Sequence, residues 1–136
     1  SLSVGLMAAN LMALGEDVGR LEGAGARLAH FDVMDGRYVP MLTAGPPFIK
    51  AVRTAMLKDV HLMVREPLGS LGEYVAAGAD IVTIHPDACA HPHRAPDPLE
   101  GLLEQGSTTG VAVEQEHTVG GGHWGRVTQM PGAVAP

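Results

Sequence analysis

Short apolar runs alternate with longer stretches of helical spacing along the first hundred residues. SVGLM (3–7) predicts a short strand. From Asn10 onward, Leu11, Leu14, Val18 and Leu21 recur at helical spacing, with Asn10 as the N-cap. GAGAR (23–27) ends that helix on glycines. LAHFD (28–32) predicts a second strand, and the loop GRYVPMLTAGPP (36–47) follows, punctuated by Gly and Pro. At about twelve residues it exceeds the usual two to six of a βα connection, and long loops on such scaffolds are often functional. A helix is expected over 47–56 with a proline near its start. DVHLMV (59–64) reads as a third strand, EPLGSLGEYVAAGAD (66–80) as a helix opened by proline and closed by glycine, and IVTIH (81–85) as a fourth strand. PDPLEGLLEQGSTT (96–109) offers one short helical stretch, and GVAV (110–113) reads as a fifth strand. The remainder, 114–136, has no sustained period and reads as an irregular tail.

Strands alternating with helices imply βαβ units, a parallel sheet and right-handed crossovers, hence an α/β class. The phrases EGAGARLAHFD and VAAGADIVTIH repeat one such unit. The 136 residues amount to one domain by length. Only one Trp, two Tyr and two Phe are present, so the core falls to Val, Leu, Ile, Met and Ala, with Met7, Met12 and Met56 expected in it. A formal charge of −6 argues against a general nucleic-acid footprint. Cys89 stands alone, which rules out an intrachain disulfide and favours a reducing compartment. The uncharged start, SLSVGLMAANLMALG, lacks the basic flank of a signal peptide and is followed by Glu16 and Asp17. No segment reaches the roughly 20 apolar residues that span a bilayer. The expectation is a soluble, cytoplasmic chain with no membrane partner.

The stretch AHFDVMDGRYVP (29–40) carries more chemistry than a strand needs. Period-2 alternation puts His30 and Asp32 on one face, with Cα atoms about 6.6 Å apart. That spacing suits two ligands of one metal ion, or a base beside an electrophile. His61 lies on the third strand and His85 on the fourth, and in parallel βα folds ligands bind at the rim where strands end. Two imidazoles and a carboxylate suit Zn²⁺ or a similar first-row ion with open positions. Such an ion polarises a carbonyl, and Asp32 beside it can take the proton from the adjacent carbon. Met34 and Met63 offer apolar contacts over that carbon. Asp35-Gly36 reads equally well as turn chemistry. CAHPHR (89–94), His117 and His123 read mainly as solvated loop residues.

HFDVMDGRYVPMLTAGPP, DVHLMV, AAGADIVTIH and HPHR, in this order and spacing, strongly resemble the ribulose-phosphate 3-epimerase family over about residues 4–94. The resemblance implies TIM-barrel-type (β/α) units and a divalent metal, zinc or iron, with manganese or cobalt as further options. It implies inversion at carbon 3 of a ketopentose 5-phosphate through an enediolate, using two aspartates. Carried over by motif, His30, Asp32 and His61 resemble metal ligands, Asp32 also resembles one acid–base aspartate, and Met34 and Met63 resemble the substrate-flanking methionines. His85 matches a histidine at the fourth strand end and is left without a role.

The chain also departs from the family. The Leu-Ser-Ala-Asp segment reads MAAN here, with Ala8 at the serine and Asn10 at the aspartate, and Met41 replaces a loop asparagine. An eight-unit barrel needs roughly 200 residues or more, and matching units account for about four strands. The second aspartate, also the fourth ligand, and the late phosphate loops find no match; Glu114 and Glu116 are substitute acids to consider. The expectation is therefore a partial, about half, barrel over 1–113 with an irregular tail over 114–136, as a truncation or a frame change would leave. A half-barrel leaves strand edges unpaired, which implies a homo-oligomer. The expected function is an isomerase of the pentose phosphate pathway acting on ribulose 5-phosphate and xylulose 5-phosphate. The alternatives are a truncated, non-catalytic metal- or sugar-phosphate-binding relative, and a hexulose-6-phosphate 3-epimerase.

Overall fold

The computed structural model describes residues 3–90 and 110–113. Five strands, β1 (Ser3–Gly5), β2 (Leu28–Met34), β3 (Leu57–Met63), β4 (Ile81–Ile84) and β5 (Gly110–Val113), form one sheet in sequential order. Every neighbouring pair is parallel. Helices α1 (Leu14–Gly23), α2 (Pro46–Ala51) and α3 (Leu71–Ala76) occupy the first three crossovers. Sequential order with parallel pairing is the βα repeat that right-handed crossovers produce, and the sheet is not closed into a barrel among the described residues. No helix among them is long and apolar enough to cross a membrane.

The core lies on one face of this sheet. Ala29, Phe31 and Val33 of β2, Val60 and Leu62 of β3, and Val82 and Ile84 of β4 are buried, together with Val18, Ile49, Leu71 and Tyr74 from the helices. Phe31 meets Phe48 of α2 edge-on, with ring centroids 6.2 Å apart. Pleating sends alternate residues the other way, so the opposite face carries the half-buried polar set of β2 and β3.

Several elements differ from the expected bounds. The first strand ends at Gly5, and Leu6–Ala8 form a 3₁₀ turn. Asn10 does cap, accepting from the Met12 N–H, but Leu11–Ala13 form a separate 3₁₀ turn ahead of α1. Its tighter period takes Leu11 and Met12 off the apolar stripe. Met12 is 95% exposed, so it is not a core residue, whereas Met56 is buried. The helix expected over 47–56 stops at Ala51 because the Glu22 carboxylate at the end of α1 accepts from Thr54 Oγ1 (2.5 Å) and Ala55 N (2.7 Å). Those two bonds hold the following residues in a non-helical path. The helix expected over 66–80 reduces to a 3₁₀ turn at Pro67–Gly69 and α3 proper. It is closed by Gly78 at φ +94°, a left-handed position that glycine adopts without strain. GVAV is a strand, as its pattern predicts. The helical stretch expected within 96–109 and the tail 114–136 lie outside the described residues.

Candidate functional site

Register assembles the site. Across the β2–β3 pair, His30 stands beside Asp59, Asp32 beside His61 and Met34 beside Met63. All six alternate with the buried apolar positions and therefore share the half-buried face. Asp32 Oδ1 lies 3.2 Å from His30 Nε2 and 3.3 Å from His61 Nδ1. Ligand atoms of these three side chains all fall within 4.8 Å of one another, and no further His, Cys, Asp or Glu joins them among the described residues. Bonds of roughly 2.1 Å around a tetrahedral ion place neighbouring ligand atoms about 3.4 Å apart, so both contacts have the spacing of coligands. The donor set, two imidazole nitrogens and a carboxylate oxygen, suits a first-row divalent ion.

His30 faces carboxylates on both sides. Its Nδ1 donates to Asp59 Oδ2 at 2.8 Å, since a carboxylate only accepts. A neutral ring then turns a lone pair from Nε2 towards Asp32. Something positive, a proton or a metal ion, must stand between that nitrogen and Oδ1. The Asp59 hydrogen bond pushes the His30 imidazole above its ordinary range; burial opposes this, and the charges of Asp59 and Asp32 reinforce it.

The next histidine extends the row. His85, buried just beyond β4, brings its Nε2 within 2.6 Å of His61 Nε2, with the two rings 4.9 Å apart. Two facing imidazole nitrogens at that distance share one proton. Tyr38 from the loop after β2 lies over His85 at 5.3 Å and donates its hydroxyl to the Asp87 carboxylate at 3.0 Å.

The loop at 36–47 is tied down at both ends. Thr43 Oγ1 donates to the Asp32 carbonyl at 2.6 Å and accepts from Met34 N at 2.9 Å. Asp35 Oδ1 accepts from Arg37 N and Tyr38 N, while Oδ2 accepts from Arg65 N beyond β3. Burial pulls this carboxyl upward, but the backbone donors of Arg65, Tyr38 and Arg37 together outweigh it and hold it below its ordinary value. Asp35 thus builds the turn with Gly36, at φ +72°, and also joins it to the next strand.

The structure therefore brings together His30, Asp32, His61, Met34 and Met63, all five residues singled out in the sequence. His85, noted in the sequence at the fourth strand end without a role, joins them through His61. Asn10 is occupied as a cap, and Met41 is exposed. Cys89 is buried, while His91, His93, Glu114, Glu116, His117 and His123 lie outside the described residues. Sequence reasoning missed Asp59, Tyr38 and Asp87. For Asp59 a signal existed: it stands two residues before His61, on the same strand face.

A profile of the ribulose-phosphate 3-epimerase family matches residues 1–121, beyond the stretch that carries the quoted motifs. The chain is 41% identical over 110 residues to "Ribulose-phosphate 3-epimerase" of Bacillus subtilis (strain 168), covering 79% of this chain and 49% of that protein. With the protein of the same name from Escherichia coli (strain K12) it shares 42% identity over 110 residues, 78% of this chain and 47% of the relative. With "Ribulose-5-phosphate-3-epimerase, chloroplastic" of Arabidopsis thaliana it shares 40% over 116 residues, 82% of this chain and 40% of the relative. The chain spans about half the length of the curated relatives it matches.

Proposed function

Because the chain belongs to the ribulose-phosphate 3-epimerase family, we propose that it serves the epimerisation of a ketopentose 5-phosphate at carbon 3, between ribulose 5-phosphate and xylulose 5-phosphate. The observation that carries this reading is the sharing of Asp32 Oδ1 between His30 Nε2 and His61 Nδ1, at 3.2 and 3.3 Å. His30, Asp32 and His61 would hold a divalent ion, zinc or iron, with manganese or cobalt as substitutes. Such an ion, when bound, supplies a positive charge that polarises the ketose carbonyl and lowers the cost of the enediolate.

The chain's own residues do the rest. Asp32 meets both imidazoles through Oδ1, which leaves its other oxygen to take the carbon-3 proton. Met34 and Met63, paired in register next to Asp32 and His61, wall the reacting carbon with apolar surface. The opposite face of the sugar needs a second acid. Asp59 does not fill that role in this reading, because it is engaged by the far nitrogen of His30. The second proton is assigned to a residue outside those described.

The reading takes 1–113 as the partial barrel domain that carries the site and 114–136 as a tail. It includes assembly of several copies and a cytoplasmic setting, in keeping with the free, buried thiol of Cys89. A second reading, a metal- or sugar-phosphate-binding relative without catalysis, draws on the three-ligand group that no further acid joins among the described residues.

Equilibrium dialysis with Zn²⁺ and Fe²⁺, followed by NMR of ribulose 5-phosphate turnover by the loaded protein, tests the proposal. The expected result is one ion per site and appearance of xylulose 5-phosphate, with hexulose 6-phosphate as the comparison substrate. Metal binding without turnover would favour the binding relative, and absence of metal binding would contradict the metal-assisted epimerase and leave sugar-phosphate binding as the surviving reading.

A further inference from the structure

Asp59 has no part in the proton transfer described above, yet it is a carboxylate set into the same half-buried face. Its side chain is only 16% exposed. It is the register partner of His30 and precedes His61 by two residues on β3. Its Oδ2 accepts from His30 Nδ1 at 2.8 Å, and Ser3 Oγ of β1 reaches the same oxygen at 3.5 Å. A carboxylate held between two neighbouring strands offers a fixed acceptor at one edge of the imidazole.

We propose that Asp59 is a positioning residue for His30: its carboxylate fixes the Nδ1–H tautomer and the ring orientation, so that the Nε2 lone pair is aimed at Asp32 and at a metal ion. This rests on the reading of His30, Asp32 and His61 as a metal site. A histidine ligand has two distinct nitrogens, and the hydrogen bond at one decides which is free at the other. Without an acceptor at Nδ1, the ring is free to rotate and to place its proton on Nε2, where it blocks coordination. An outer carboxylate also raises the basicity of the ligating nitrogen, and losing such a partner typically weakens metal affinity 10- to 100-fold. The two imidazoles are supported differently: His30 by a carboxylate and His61 by a second imidazole, that of His85.

The test combines two readouts on the whole chain. Two-bond ¹H–¹⁵N spectra of the metal-free protein at about pH 9, above the ordinary imidazole range, report the His30 tautomer. Competition with a chromophoric chelator reports Zn²⁺ affinity. Wild type should show Nδ1–H at His30. Asp59→Ala should lose that preference and bind Zn²⁺ roughly 10- to 100-fold more weakly. Asp59→Asn, whose amide oxygen still accepts, should keep the tautomer and recover most of the affinity. An Nε2–H tautomer in wild type, or an Asp59→Ala variant unchanged in both readouts, would overturn the proposal. If Asp59→Ala fails to fold, the wild-type spectrum and the Asn variant decide. If wild type binds no Zn²⁺, the metal reading fails, while the tautomer still judges whether Asp59 orients His30.

Discussion

A neutral imidazole cannot satisfy two carboxylates at once, and His30 contacts both Asp59 and Asp32. In the metal-free protein the answer is a second proton, consistent with the raised His30 pKa. A group whose pKa rises on folding stabilises the fold fully below its ordinary value, here 6.5, and loses that contribution as pH rises through the raised value. The metal-stripped protein should therefore melt at a lower temperature as pH climbs from 6.5 through the raised His30 value, and His30→Asn should flatten this slope. Metal reverses the sign. Coordination needs Nε2 without its proton, so Zn²⁺ affinity should fall as pH drops through the same raised value. Melting curves and chelator competition across that window check both halves; a metal-free melting temperature that rises with pH would contradict the first.

At the scale of the element, β2 divides its labour by face. Phe31 is fully buried against the helices, while Asp32 is half-buried on the other side. Phe31→Ala should cost about 3–5 kcal/mol in urea unfolding, as large-to-small core changes do. Asp32→Asn should leave stability close to wild type and weaken metal binding. The loop after β2 depends on Asp35, which holds three backbone N–H groups. Asp35→Ala should therefore speed trypsin cleavage after Arg37, and an unchanged cleavage rate would show that the loop does not depend on Asp35.

These elements also show what the chain discloses before folding. Alternation in LAHFDVM is a local signal, so the site face of β2 was legible, as were His61 and Met63 on β3. The lengths of α2 and α3 were not. Glu22, more than thirty residues away, captures Thr54 and Ala55, and that tie overrides helical propensity after Ala51. The tie of Asp59 to His30 was not legible for a related reason, although its place two residues before His61 was. Its partner His30 is 29 residues away, and only the register of β2 with β3 brings them together.

The whole molecule presents an open sheet among the described residues, with the candidate site on the face the helices do not cover. Leu11 and Met12 on the turns after β1, and Met41 and Leu42 on the loop after β2, are exposed. The two segments follow adjacent parallel strands and therefore lie at the same end of the sheet. Exposed apolar groups gathered in this way favour association. Light scattering after gel filtration should give a mass above the 14.1 kDa of one chain, and Met12→Ser with Leu42→Ser should shift it towards the monomer. A wild-type monomer at micromolar concentration would contradict the assembly.

The central claim is that Asp32, within the His30–Asp32–His61 group, moves the carbon-3 proton of a ketopentose phosphate. Solvent deuterium incorporation at carbon 3 of ribulose 5-phosphate, followed by NMR on the Zn²⁺- or Fe²⁺-loaded chain with Asp32→Asn beside it, tests this most directly. The account predicts exchange in wild type and its loss in Asp32→Asn. Exchange that persists in Asp32→Asn, or a metal-loaded wild type that exchanges nothing, would contradict it.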